Sequence, residues 1–105
     1  MINDNLQLPK DREMVWDLIK QFDQQSAYLS SMADKTPAFQ ELLAIGSVIV
    51  PILAQAVNEG YDFRLTYLMS LLVDDPPKIE EKDYGIVEII REAWLEWSRD
   101  KGYIA

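Results

Sequence analysis

The stretch from Thr36 to Val73 constrains this chain most. It reads TPAFQELLAIG, SVIVPILAQAVNEG and YDFRLTYLMSLLV, and nearly every apolar residue in it recurs at helical spacing. Three consecutive helices are expected. Thr36 is placed to accept a bond from an early backbone N–H, and Pro37 fits the first helical position, where its missing donor costs nothing. Phe39, Leu42 and Leu43 give that helix its buried face, and Gly46 ends it in a left-handed conformation. Ser47 is expected to cap the next helix, with Pro51 in its first turn. Ile49, Ile52, Leu53, Ala56 and Val57 then make an unbroken apolar stripe, closed by Gly60. Asp62 caps the third helix, with Leu65, Leu68, Met69 and Leu72 inward. So short a link sets the last two helices antiparallel, as a hairpin at the centre of the fold.

The flanks supply the rest. Met1–Leu8 are polar and expected to fray, Pro9 blocks helix for the residue before it, and Asp11 caps a helix running to about Gln25. Its stripe is Met14, Val15, Leu18, Ile19 and Phe22; Trp16 lies off-centre, at the core edge or on a partner surface. Residues 26–35 read as an irregular connection. Asp74-Asp75-Pro76-Pro77 stops the hairpin, and a charged loop leads to Asp83, the expected cap of a last helix from about Tyr84 to Lys101. Ile86, Ile90, Ala93, Trp94 and Trp97 are its stripe, with Val87 and Ile89 flanking and Gly102 as the terminal glycine. No strand pattern survives. The expected fold is all-α, a compact bundle of about five helices around the hairpin, with residues 1–105 forming a single domain.

Composition removes several function classes. The chain has no Cys and no His, so thiolate nucleophiles, zinc–thiolate sites and histidine-based triads are impossible within it. Its formal net charge is −8, with ten scattered Lys and Arg among eighteen acids. That balance opposes direct binding to nucleic acid or to an anionic membrane; it serves plain solubility first and also favours a basic protein partner. The N-terminus carries no apolar signal core, and the longest unbroken apolar run, Val48–Ala54, is far shorter than a span. A cytoplasmic location is expected. Four isolated glycines match no phosphate loop, and no cofactor is expected.

Three constellations remain. Glu88, Glu92 and Glu96 share one face of the last helix and would be the ligands or acid–base groups of a carboxylate-only metal site or enzyme. Arg91 and Arg99, three residues from Glu88 and Glu96, favour local ion pairs instead. Asp74, Asp75, Glu80, Glu81 and Asp83 form an acidic loop whose prolines and missing glycine break the calcium-loop pattern; it suits solvation or protein docking. Trp94 and Trp97, with Tyr103 just beyond the helix end, suit either core packing or an aromatic contact surface.

Two motifs carry a resemblance. SSMADKTPAFQELLAIGSVIVPIL and AWLEWSRDKGY together resemble a group of small uncharacterised prokaryotic helical proteins, across roughly residues 30–104. Ser98 stands where the group usually has Gly, and DDPPKIEEKD departs from its Gly-Glu-Asp-Pro loop. The resemblance implies a helical fold and no named activity. Residues 47–73, with Pro51, Leu53 and Arg64, are also similar to one HEAT-type repeat, without the further copies an array needs.

The expectation from sequence is a non-catalytic interaction domain, an accessory or inhibitory subunit of antitoxin or immunity type that binds a basic protein. Trp16, Asp74, Asp75, Glu80, Glu81, Asp83, Trp94, Trp97 and Tyr103 are its candidate contact residues. The alternatives are the carboxylate metal domain and a homo-oligomeric structural protein; monomer and homodimer both remain open.

Overall fold

A computed structural model describes residues 3–26, 36–62 and 64–105, with the side chains of the first helix described from Arg12 to Gln25. Five α-helices follow in order: α1 (Asn3–Ser26), α2 (Pro37–Ile45), α3 (Val50–Glu59), α4 (Leu65–Leu72) and α5 (Val87–Lys101). Short 3₁₀ turns occupy Ser47–Ile49 and Glu81–Asp83, and no strand occurs among the described residues. The expected connection after Ser26 and the residue Phe63 lie outside the described residues.

The helix α3 is the shared element. It packs against α1, α4 and α5, while α2 packs against α1 and α4. Leu53, Ala54 and Ala56 of α3 have no exposed surface. Around them close Val15, Ile19 and Phe22 of α1, Phe39 and Leu42 of α2, Leu65, Leu68 and Met69 of α4, and Trp94 and Leu95 of α5. Each such aliphatic side chain contributes about 1.5–3 kcal/mol by leaving water. Phe22 and Phe39 meet with ring centroids 5.9 Å apart, which ties α1 to α2.

The helix ends explain the path. Thr36 caps α2 by accepting the Phe39 N–H at 3.3 Å, as its position predicts. Gly46 follows with φ 99° and ψ −167°, positive in φ as expected but extended in ψ, a conformation kept almost wholly for glycine. There the chain turns through 99° between Pro37–Ile45 and Ser47–Glu59. Gly60 and Gly102 close α3 and α5 as expected, both in the left-handed form. Asp62 is not the cap of α4, which is Arg64 without a side-chain cap bond; two residues upstream, its carboxylate accepts the Arg64 backbone N–H at 2.9 Å, while the Arg64 guanidinium forks onto it at 2.9 and 2.6 Å. That bond holds the Arg64 pKa above its ordinary value.

Several expectations are corrected. The first helix starts at Asn3 and runs through Pro9 rather than starting at Asp11. Proline disfavours helix in the preceding residue without forbidding it, and the bond lost is the one to the carbonyl of Asn5. Met14 is 48% exposed, outside the buried stripe. Ser47 makes no side-chain cap; it opens the 3₁₀ turn, and its carbonyl accepts from Val50. The last helix begins at Val87, because Gly85 (φ 89°) follows the Glu81–Asp83 turn and Asp83 gives no side-chain cap. Its buried side is Trp94, Leu95 and Ser98, whereas Ile86, Val87 and Ile89 are 40–44% exposed.

Candidate functional site

Two grooves border α5, and its two tryptophans divide between them. The first lies at the C-terminal end of α5. Gly102 turns the chain so that the Tyr103 N–H reaches the Ser98 carbonyl at 2.9 Å, which folds Tyr103 back toward the helix. Its ring meets that of Trp97 edge-on, with centroids 5.9 Å apart at 62°. The Trp97 indole N–H donates to the backbone carbonyl of Asp75 at 2.7 Å, fixing the ring against the chain leaving α4. Lys101, one turn beyond Trp97, places its ammonium 5.4 Å from the Trp97 ring centroid and ion-pairs with the Asp75 carboxylate. Asp74, Asp75, Trp97, Lys101 and Tyr103 thus share a groove of about 260 Å³.

The electrostatics of this corner follow from one bond. Lys101 donates to Asp75, which draws the Asp75 carboxyl below the usual aspartate range and raises the Lys101 ammonium above its ordinary value. Both side chains are well exposed.

The second groove, also about 260 Å³, runs between α4 and α5, walled by Tyr67, Ile79, Ile90 and Trp94 with Arg64 at one end. Tyr67 is 52% exposed and stacks on Phe39 at 6.0 Å and 23°. Ile86 lies one helical turn before Ile90, so the exposed start of α5 continues this apolar surface.

The structure therefore brings together Asp74, Asp75, Trp97 and Tyr103 and assigns Trp94, buried at 3%, to the other groove, although the two indoles lie only 5.2 Å apart. Trp16 is half-buried and packs on Tyr61 at 5.8 Å, at the opposite end of α4 from Asp75. Glu80, just before the 3₁₀ turn, and Glu81, its first residue, are exposed, and neither they nor Asp83 line either groove. Lys101 is the residue that sequence reasoning missed here. Its spacing of four from Trp97 was the available signal, since residues so spaced share a helix face.

Glu88, Glu92 and Glu96 are all exposed, and no three acidic side chains among the described residues gather as a cation site. Arg91 does not turn to Glu88 as expected; it donates to the Val57 carbonyl at 2.9 Å, fastening α5 to the end of α3. No single helix among the described residues is long and apolar enough to cross a membrane. Comparison with family models, curated proteins and solved structures finds no match to this chain.

Proposed function

We propose that this chain is a non-catalytic protein-interaction domain, an accessory or inhibitory subunit of antitoxin or immunity type, whose partner is a basic protein. The observation that carries this reading is the pairing of two grooves along α5 with an acidic surface. One groove is aromatic and edged by Asp74 and Asp75; the other is apolar and walled by Tyr67, Ile79, Ile90 and Trp94. Glu88, Glu92 and Glu96 stand exposed on the same helix, in a chain of net charge −8. Apolar ground gives such an interface its contact area, and surrounding charge of one sign selects the partner and speeds encounter. The test is affinity capture by the full chain from native lysate at low salt and at about 0.5 M salt, where surface charge is screened within several ångströms. A stoichiometric partner of basic pI that is released at high salt is expected. Recovery of no stoichiometric partner, or of an acidic one indifferent to salt, sinks the reading.

A homo-oligomer is the second reading, favoured by Tyr84, Ile86, Val87 and Ile89, which are 40–65% exposed in one short stretch. It requires a dimer mass by light scattering and a return to monomer in Ile89→Lys. A monomer at all accessible concentrations removes it.

A further inference from the structure

We propose that the Trp97 corner is a receptor for one basic side chain, lysine or arginine, presented by a protein partner, and that Lys101 is its resident stand-in. This rests on the reading that the partner is basic. Lys101 makes the two contacts an incoming cation would make, an ion pair with Asp75 and an approach of 5.4 Å to the Trp97 ring centroid. The aromatic wall is set in advance, because the indole is held by the Asp75 carbonyl at 2.7 Å and braced by the Tyr103 ring at 5.9 Å. Lys101 donates to Asp75, while the exposed Asp74 lines the same groove and adds a second carboxylate to the corner. A guanidinium is wide and flat enough to lie on the indole while addressing a carboxylate with its fork.

The resident contact is weak enough to yield. Lys101 and Asp75 side chains are 38% and 62% exposed, and exposed ion pairs contribute little. A partner's cation that brings further contacts from its own chain therefore displaces Lys101 at small cost.

The probe is a blocked hexapeptide containing two arginines, with a citrulline version as the uncharged control. It is titrated into the ¹⁵N-labelled full chain while the Trp97 indole N–H resonance is followed. Saturable movement of that resonance with the arginine peptide, and none with citrulline, is expected. Lys101→Gln tightens binding about two- to fivefold, the worth of one exposed cation–π contact freed from competition, and Trp97→Leu in that background abolishes the gain. The wild-type titration decides alone if either variant fails to fold. An unmoved Trp97 resonance, or weaker binding by folded Lys101→Gln, overturns the proposal. Shifts confined to the Glu88, Glu92 and Glu96 face also overturn it, while leaving the broader reading of a basic partner intact.

Discussion

Replacing Gly46 and Gly60 separately by alanine isolates backbone conformation from packing. A Cβ at either position meets no heavy atom within 4 Å, so neither substitution creates a clash. Both glycines have positive φ, 99° and 101°, but Gly60 is left-handed helical whereas Gly46 has an extended ψ of −167°. An L-residue in the left-handed region costs roughly 1–2 kcal/mol, and the Gly46 region reaches about 3 kcal/mol. Alanine returns about 0.4–1 kcal/mol by restricting the unfolded chain. The net loss is then about 0.5–1 kcal/mol for Gly60→Ala and about 2 kcal/mol for Gly46→Ala. At roughly 4–8 °C of melting temperature per kcal/mol for a domain of this size, Gly46→Ala melts about 8–16 °C below wild type and Gly60→Ala only a few degrees below. Urea unfolding followed by circular dichroism gives the free energies directly. Equal losses at the two sites, or a larger loss at Gly60, would refute the claim that the Gly46 turn is held against its own backbone preference.

Other consequences are as direct. Leu53→Ala, at a position with no exposed surface on the shared helix α3, is expected to lower urea-derived stability by about 2–5 kcal/mol. Thr36→Ala removes the acceptor for the Phe39 N–H and is expected to cost about 1 kcal/mol in the same assay, less than the Leu53 truncation. Asp75 has a lowered folded-state pKa, so its contribution is present above the ordinary aspartate pKa and fades as pH falls through the folded value. Lys101 has a raised one, so its contribution is full below the ordinary lysine pKa and fades as pH rises through the folded value. Melting curves against pH for wild type and Asp75→Asn check both ends, and the variant is expected to fall slightly less steeply at each, a small difference because the pair is exposed.

Much of the fold was legible because helix periodicity and capping are local. The stripe from Ile49 to Val57, the Thr36 cap with Pro37, and the glycines closing α3 and α5 all fell where their chemistry required. What periodicity does not encode is how far a neighbouring helix extends. Ile86 and Ile90 share the apolar face of α5, yet Ile86 is 44% exposed while Ile90 packs on the core. Met14 in α1 shows the same limit, with Val15 beside it buried at 1%. A stripe names the side that seeks cover and leaves its two ends to the geometry of the partner helix. Breakers are graded in the same way: Pro9 costs one bond within a continuing helix, whereas Gly85, at φ 89°, is the break that matters before α5.

The candidate site was legible in residue type and illegible in grouping. Trp97, Tyr103, Asp74 and Asp75 could each be named from the sequence, but the bonds that assemble them span 22 residues from Trp97 to Asp75 and 26 from Lys101 to Asp75. The 34-residue bond from Arg91 to Val57 is of the same kind and fastens α5 to the end of α3. Both tryptophans pack on the core, Trp94 buried and Trp97 half-buried at its edge. With Arg91 fastened to the end of α3, Trp94 is turned inward, and Trp97, one turn on, falls at the mouth of the chain leaving α4. Breaking the Arg91 bond with Arg91→Met, which keeps the apolar stem and removes the donor, is therefore expected to shift the Trp97 indole resonance although Arg91 does not line its groove. An unshifted Trp97 resonance in that variant would mean that the Asp75 carbonyl and the Tyr103 ring alone position the corner, independently of how α5 is seated on α3.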